Sequence, residues 1–183
     1  MPLLMLKDLP RYECLLEAAR QFPDLDPSAT EAFLHLLRAG DEAFRTVEHH
    51  LGEHDISQGR FAVLMALWGQ CRKHPTGMLT PAELAEHAGV TRATMSGLVD
   101  TLVRDELVTR APHPEDRRMM CVEVTQKGRD LIREIMPRHF RLMAWLLQPL
   151  QEDERKQLVT LLNKILLRAA ERPGPASGDP APH

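Results

Sequence analysis

The segment from Leu79 to Arg104 restricts the possible folds of this chain more than any other part of the sequence. Near its start, Thr80 is followed directly by Pro81, and Glu83 stands three residues after the threonine. This is the pattern of a capping box, in which both side chains accept hydrogen bonds from backbone amides that would otherwise be free at the start of a helix. A short helix is therefore predicted from this start to Ala88.

A second helix follows after a turn of very few residues. Gly89 tolerates the positive φ angle of a tight turn, and Thr91 is a good N-cap for a helix predicted over Arg92–Glu106. Ala85 is small enough for the two helices to cross at close range. Together these features predict a helix-turn-helix, and the alternative is an ordinary corner in a helical core. The apolar residues expected to hold both helices against a core are Leu84, Ala88, Val90, Met95, Leu98 and Leu102.

Two strand-like stretches after the second helix argue against a simple core corner. Leu107–Ala111 and Met119–Val124 are predicted as the strands of a β-hairpin, joined by the charged, proline-containing loop Pro112–Arg118. A core corner has no need of the basic pair Arg117 and Arg118 at this place. The hairpin therefore indicates a winged helix-turn-helix, formed by the two helices and the hairpin, which we call the lobe.

Helices with long apolar stripes flank this lobe. The helix predicted after Thr125 continues through a kink at Pro137 and ends at Pro149, because its apolar period extends past the first proline. The fold class is therefore mostly α with a small β-hairpin wing. The other flanking helices are predicted over Pro10–Gln21, Ser28–Leu51 with Ser28 as N-cap, Gln58–Cys71 and Glu152–Arg172.

Composition excludes several classes of function. The 183 residues carry a net charge of −3, which does not fit a broadly basic nucleic-acid coat or a polybasic membrane binder but leaves a local DNA-binding face open. No secretory signal is recognised, and the longest apolar run, Phe61–Trp68, is too short to span a bilayer. Since Cys14, Cys71 and Cys121 are far apart and form no Cys-x-x-Cys pair, a cytoplasmic location is expected.

The sequence carries no signature of an enzyme. The Gly-x-Ser-x-Gly, P-loop, His-Glu-x-x-His and Rossmann glycine patterns are absent. The carboxylates are scattered over predicted helix surfaces. No catalytic residue, no cofactor and no enzymatic activity is therefore expected.

The sequence resembles the MarR family of winged helix-turn-helix regulators. The resemblance rests on Leu79–Arg104, on Leu107–Arg110, on Asp116–Arg118, which matches the family's Asp-x-Arg wing signature, and on Val124–Gly128, which contains its Thr-x-x-Gly. The match is best over about residues 56–130. It implies a homodimer that binds double-stranded, pseudo-palindromic operator DNA, usually as a repressor that a small ligand releases.

The N-terminal part of the second helix carries the candidate DNA-reading residues. A recognition helix reads the major groove with the outward side chains of its first turns. Arg92 can reach a guanine edge or a phosphate. Members of the family often have a larger polar residue where this chain has Gly97, so sequence preference is expected to rest on Arg92, Ser96 and the wing. The candidate residues are Thr91, Arg92, Ala93, Thr94, Ser96 and Gly97.

Asp116, Arg117 and Arg118 stand where the wing of the family enters the minor groove, whose negative potential favours arginine. By resemblance, one arginine holds the wing and the other meets DNA, and which does which stays open. The alternative is an Asp–Arg pair that only shapes the loop. Residues 91–118 contain five arginines against three aspartates and two glutamates, so affinity must come from placed charges and not from bulk charge.

The flanking helices fit the dimer of the family, in which terminal helices interlock two subunits. A dimer places two recognition helices about 34 Å apart, one turn of DNA. Packing within one chain accounts for part of each apolar stripe. The predicted organisation is an N-terminal extension helix (1–27), a dimerisation helix (28–56), the winged helix-turn-helix DNA-binding region (57–124), dimerisation helices (125–172) and a disordered tail (173–183).

His50, His54 and Arg60 are candidate polar residues of the ligand pocket, which the family places between the dimer helices and the DNA-binding lobe. The extra N-terminal helix resembles the urate-responsive branch of the family. However, Ala62 and Gly69 stand where that branch has aspartate and arginine, so urate is not expected. A different aromatic or phenolic acid is the expected ligand class, and an ordinary surface charge is the alternative for each of the three residues.

Three alternatives stay open. His50 and His54 have the i,i+4 spacing of a metal pair, but a zinc site needs about four ligands and the later long helix offers only His139, so no metal is expected. A redox sensor would need a thiol in a basic setting, and Cys14 lies in the extra N-terminal helix. A helical protein-interaction module with a vestigial winged fold is the third, favoured by Gly97 and the neutral local charge.

Overall fold

The computed structural model of the protein describes residues 8–70, 78–112 and 119–171. Within these ranges the chain forms seven helices and one two-stranded antiparallel sheet, which confirms the predicted fold class. In chain order the elements are α1 (Tyr12–Gln21), α2 (Pro27–Gly52), α3 (Gln58–Gln70), α4 (Pro81–Ala88), α5 (Arg92–Arg104), β1 (Val108–Pro112), β2 (Met120–Val124), α6 (Gln126–Leu146) and α7 (Glu152–Ala170).

Helix α4 begins with the capping box that the sequence predicts. The amide of Thr80 donates to Oε2 of Glu83 over 2.7 Å, and the amide of Glu83 donates to Oγ1 of Thr80 over 3.2 Å. Pro81 occupies the first turn, where its missing N–H leaves no hydrogen bond unmade. The start of the helix-turn-helix is thus determined by three neighbouring residues.

The turn between α4 and α5 has the predicted left-handed glycine. Gly89 has a φ angle of 63°, and the next amide, that of Val90, donates to the carbonyl of Ala85 over 3.0 Å. Oγ1 of Thr91 then accepts from the amide of Thr94 over 3.1 Å and caps α5. The predicted helix-turn-helix is therefore confirmed in its local hydrogen bonds.

The apolar core of the lobe is built around α3 and α5. Helix α3 is central because it is apolar nearly all round, and α5 turns one face inward. The buried apolar residues of this core are Leu51, Ile56, Phe61, Val63, Leu64, Leu67, Leu79, Leu84, Ala85, Met95, Val99, Leu102, Leu107, Val108, Val122, Val124, Ile132 and Ile135.

The hairpin is tied to the start of α4 by a bridge that the sequence did not predict. Strand β1 pairs antiparallel with β2, with Val108 opposite Val124. Leu79 forms an isolated antiparallel bridge to Val122, whose amide donates to the Leu79 carbonyl over 2.7 Å. The strands begin one residue later than predicted, and residues 113–118 lie outside the described ranges.

The Thr-x-x-Gly segment closes the hairpin against the end of α5. Oγ1 of Thr125 donates to the carbonyl of Glu106 over 2.7 Å and accepts from the amide of Gly128 over 3.1 Å. A Cβ atom at Gly128 would collide with the carbonyl oxygen of Leu107. Glycine is needed here because the backbone of α6 passes directly over that carbonyl group.

The predicted N-cap of α2 is wrong. Asp26 is the cap: its Oδ1 accepts from the amides of Ser28 over 2.9 Å and of Ala29 over 3.1 Å, and Pro27 stands in the first turn. The amide of Ala29 and the hydroxyl of Ser28 hold the pKa of Asp26 below its usual value. A carboxylate followed by proline is the better start because it satisfies two free amides at once.

Two further expectations are wrong in detail. Helix α5 ends at Arg104 and not at Glu106, since Glu106 has a φ angle of 61° and belongs to the turn before β1. Ala88 and Val90 are exposed and do not anchor the helices, because they flank the Gly89 turn at the surface. The other expected anchors are buried or half-buried.

Helix α6 continues through Pro137, as the sequence predicts, and ends before Pro149. The chain divides after Phe140 into two compact units. The second unit contains the end of α6 and helix α7. Cys71 and the tail 173–183 lie outside the described residues.

Helix α7 buries none of its side chains within the described part of the chain. Its apolar stripe is open instead, with Ile165 48% and Leu166 65% exposed. No described helix is both long enough and apolar enough to cross a membrane. The exposed large apolar residues of the second unit are Met143, Trp145, Leu147, Val159, Leu161, Ile165, Leu166 and Leu167.

Candidate nucleic-acid interface

Helix α5 separates a buried apolar face from an exposed polar one. Met95, Val99 and Leu102 are fully buried in the lobe. The side chains of the first two turns on the other face all reach the surface. They are the residues that the sequence singles out, Thr91, Arg92, Ala93, Thr94, Ser96 and Gly97. The packing of α5 therefore presents this set together on one accessible surface.

Arg92 is the long cationic side chain of this surface. It is exposed and forms no ion pair with any other described residue. The guanidinium group is thus available to a phosphate or to the edge of a guanine. The free amides of the first turn of α5 add a partial positive charge at the same end of the helix.

The hydroxyl groups of the two threonines on this surface already form hydrogen bonds in the N-cap of α5. Oγ1 of Thr91 accepts from the amide of Thr94, and the two hydroxyl oxygens lie 2.9 Å apart. Each hydroxyl keeps hydrogen-bonding capacity beyond this contact. Their positions are fixed by α5 itself, so a DNA partner would meet groups that are already ordered.

Gly97 lies on the exposed face, and no atom lies within 4 Å of the place where a Cβ would be. Packing therefore does not require glycine at this position. The carbonyl of Gly97 accepts from Oγ1 of Thr101 over 3.0 Å. A partner molecule would therefore be able to approach α5 more closely here than next to a larger side chain.

An ion pair between Asp100 and Arg110 joins the recognition helix to the wing. Asp100 lies on α5 and Arg110 on β1, and an Nη of the arginine donates to Oδ1 of the aspartate. Sequence reasoning missed this pair, although Arg110 belongs to the segment Leu107–Arg110 that carries the family resemblance. The pair holds the base of the wing in a defined position relative to α5.

The predicted wing residues Asp116, Arg117 and Arg118 lie outside the described residues. The two strands that flank them are present and pair antiparallel. Their contact with DNA therefore stays a prediction.

Comparison with known proteins decides the family. The HTH-type transcriptional repressor YetL of Bacillus subtilis is 32% identical over 163 residues, which cover 89% of this chain and 95% of YetL. The MarR family model matches residues 54–119. The chain belongs to the MarR family. It is therefore a DNA-binding transcriptional regulator, in agreement with the prediction that it is not an enzyme.

Solved structures of the MarR family show the same fold. A mutant of MarR from E. coli complexed with operator DNA has a TM-score of 0.64 at 26% identity, and the match covers 74% of this chain and 91% of that one. Bordetella bronchiseptica BpsR, whose structure concerns regulation of DNA binding by 6-hydroxynicotinic acid, has a TM-score of 0.61 at 26% identity over 73% of this chain and 98% of BpsR.

The three candidate ligand residues of this MarR-family chain fall into two places. His54 and Arg60 line a cavity of about 810 Å³ between the end of α2, the start of α3 and α6. His50 lies behind His54 and is only 2% exposed. The remaining lining residues are Asp55, Ile56, Asp105, Leu107, Lys127, Asp130, Leu131 and Glu134.

The guanidinium group of Arg60 forms hydrogen bonds to two groups of the same chain in this cavity. Its Nη1 donates to Oδ2 of Asp105 over 2.6 Å, and Nη2 donates to the carbonyl of Asp55. Asp105 is the C-cap of α5. This ion pair connects the cavity to the end of α5.

The two sensing alternatives concern a metal site and a reactive thiol. Among the described residues, no group of histidine, cysteine or carboxylate side chains is arranged to hold a metal ion. Cys121 is buried, and burial raises the pKa of its thiol, with the carboxylate of Glu83 acting in the same direction. A raised pKa disfavours the reactive thiolate form. Cys14 is an exposed free thiol on α1.

Proposed function

We propose that this MarR-type regulator is a repressor that binds a pseudo-palindromic operator as a homodimer, released by a small aromatic or phenolic acid. The observation that carries the DNA-binding part is the exposed face of α5, on which Arg92 stands free above three fully buried anchors. A face ordered by its own core needs no rearrangement before it enters a groove.

The second unit supports the homodimer. Helix α7 and the end of α6 carry many exposed large apolar side chains, more than an isolated chain normally leaves in water. A second copy of the same surface is a self-complementary partner in a two-fold dimer. An interface above about 2,000 Å² is expected for such an assembly. A stable folded monomer in light scattering at micromolar concentration would rule this assembly out.

The contacts of Arg60 support the proposed ligand response. The cavity has the volume of a small-molecule site, and the guanidinium group of Arg60 is the natural partner of a ligand carboxylate. Such a ligand would compete with Asp105 and so release the ion pair at the end of α5. Competition at this pair would couple ligand binding to the position of the recognition helix.

DNA binding is tested by a gel shift of the full chain on the DNA upstream of its own coding sequence, with a random duplex of equal length as control. We expect a shift at nanomolar protein that the random duplex does not compete away. Equal affinity for both duplexes, or no binding to either, would contradict the proposal and favour the interaction module with a vestigial winged fold.

Ligand binding is tested by calorimetry with 6-hydroxynicotinate and 4-hydroxybenzoate. We expect at least one acid to bind and to release the operator complex, and Arg60→Gln to abolish binding. Arg45→Gln, on the exposed face of α2, is the matched control and should bind as the wild type does. If Arg60→Gln binds the acid with unchanged affinity, the cavity is not the ligand site.

A further inference from the structure

Three histidine rings meet where α2, α3 and α6 come together, and the proposed DNA contacts use none of them. His50, near the end of α2, has its ring centroid 5.6 Å from that of His54 and 5.8 Å from that of His139 on α6. The rings of His50 and His139 are stacked at 24°. Phe61 of α3 packs edge-on against His139 at 5.2 Å. We call these four side chains the histidine joint.

Two rings of the histidine joint, those of His50 and His139, are the inner ones, and they have ring nitrogens without a hydrogen-bond partner among the described residues. Neither ring nitrogen of His50 has one, and Nδ1 of His139 has none either. A neutral imidazole carries one N–H group, whereas the protonated ring carries two N–H groups and a full charge. Burying that charge without an acceptor costs far more than burying the neutral ring.

The charged groups that face His50 also disfavour its protonation. Helix α6 contributes Arg138 and His139, and the turn after α2 contributes Glu53 and His54, while α3 contributes the uncharged Phe61. Among these groups Glu53 is the one whose charge favours protonation of His50. Arg138 already forms hydrogen bonds to both carboxylate oxygens of Glu53. Burial, followed by Arg138, holds the pKa of His50 below its ordinary value, and burial does the same for His139.

His54 forms the outer side of the joint. It is half-buried, lines the cavity beside Arg60, and has its Nδ1 3.3 Å from Oε1 of Glu134 on α6. The outer ring of His54 therefore has a carboxylate partner, whereas the inner ring of His50 has no hydrogen-bond partner among the described residues.

Helix α3 connects the joint to the recognition helix. Phe61 is part of the joint. The preceding residue, Arg60, forms an ion pair with Asp105, which is the C-cap of α5. Gly59 lies so close to Leu98 of α5 that an added Cβ would stand 3.3 Å from its side chain. A displacement of α3 at the joint is therefore passed directly to α5.

We propose that the histidine joint is an acid-sensitive switch: protonation of the inner ring of His50 separates α2 from α6, shifts α3 and weakens operator binding. The effect on DNA rests on the proposed function, whereas the effect on the joint itself does not. Acid normally strengthens binding to DNA by adding positive charge. Weaker binding at low pH is therefore a distinctive expectation.

The sign of the effect follows from proton linkage. Because the pKa of His50 is lowered in the folded chain, the unfolded chain binds more protons once the pH falls below about 6.5, the ordinary imidazole value. The stabilisation is complete above that pH and is lost as the pH falls through it. The loss amounts to up to about tenfold in the folding equilibrium for each pH unit, until the folded ring itself is protonated.

The joint is tested first without DNA. We expect the histidine ring signals in NMR spectra of the full chain to show His50 titrating below about pH 6.5, the ordinary imidazole value, and urea unfolding to lose stability from pH 7.5 to 5.5. His50→Phe should remove a large part of that pH dependence, while His49→Phe keeps it. Titration of His50 at or above about pH 6.5 in the wild type overturns the proposal, even if the His50 variant fails to fold.

The switch is then tested on DNA. Operator affinity of the wild type should fall by up to about tenfold between pH 7.5 and 5.5 at constant salt, and that of His50→Phe should fall much less. An equal fall in both proteins, or tighter binding of the wild type at pH 5.5, overturns the link to DNA. If no duplex binds at pH 7.5, the proposed function has failed, and the NMR and unfolding measurements still decide the joint.

Discussion

Helices α5 and α7 are both amphipathic, yet only one of them finds a place for its apolar face within its own compact unit. Helix α5 packs Met95, Val99 and Leu102 into the core of the lobe. Helix α7 carries an apolar stripe of similar length and buries none of its side chains within the described part of the chain. The two helices thus look alike by periodicity and differ in what covers them.

This difference separates two tasks. The apolar face of α5 is covered, so its polar face is left rigid and free to meet DNA. The stripe on α7 is open, and a helix of this kind gains its stability from tertiary or quaternary packing. A charge placed on α7 should therefore act on assembly, whereas a cavity under α5 should act on the stability of the lobe.

Placing a charge on the stripe of α7 should have the strongest effect on operator binding. Leu166→Glu puts a carboxylate on an exposed apolar position, and burying it in a dimer is very costly. We expect a monomer in light scattering and a loss of operator affinity of about 100-fold or more, since avidity between two half-sites is lost. Thr160→Glu, on the opposite face of α7, should remain a dimer.

Removing a buried side chain under α5 should destabilise the lobe itself. Leu102→Ala leaves a cavity at a fully buried position and should lower the free energy of unfolding by about 2–5 kcal/mol. Urea unfolding followed by circular dichroism measures this. Val90→Ala, at an exposed position, should change it by less than about 0.5 kcal/mol. Similar losses in both variants would show that α5 is not anchored in the core as described.

Changing the polar face of α5 should affect DNA and leave the fold intact. Arg92→Ala should cost about 1–3 kcal/mol of operator binding and relax preference at one base pair per half-site. Arg104→Ala, at the other end of the same helix, is the matched control and should bind normally. Affinities on operator and random duplexes across a salt series decide the role, because an unaltered ratio would mean that Arg92 contacts phosphate only.

The wing should contribute a smaller, salt-dependent share. Replacing both Arg117 and Arg118 by alanine should weaken operator binding and reduce the slope of log affinity against log salt by about 0.9 for each lost phosphate contact. Circular dichroism must show an intact fold, since Asp116 is expected to pair with one of them. An unchanged affinity and slope in the folded double variant would exclude the wing from the DNA contact.

Local hydrogen bonds made the helix-turn-helix predictable. Thr80 with Glu83, and Thr91 with Thr94, satisfy free amides within three residues of each other, so their pattern is visible in the sequence. At the start of α2 the same pattern is misleading, because it predicts Ser28 as the cap whereas Asp26 is the cap. Serine and aspartate are nearly equal caps, and the proline after Asp26 was the signal that distinguishes them.

Contacts between distant parts of the chain were not predictable in the same way. The pair of Asp100 with Arg110 and the bridge of Leu79 to Val122 depend on how the wing lies against the helices. The sequence placed His50 and His54 in one cluster, but it did not show that His50 is buried and stacked on His139. Burial of a polar ring depends on the packing of three helices, which periodicity does not report.

By itself the sequence determined the order of the elements, the turn at Gly89, the inward face of α5 and the membership of the MarR family, because each depends on neighbouring residues or on a pattern along the chain. Only the tertiary structure decided that Arg60 holds the end of α5 and that the inner histidine has no hydrogen-bond partner among the described residues. These features arise from the environment of a side chain. That environment is made by segments far apart in sequence, and burial there changes the cost of a charge.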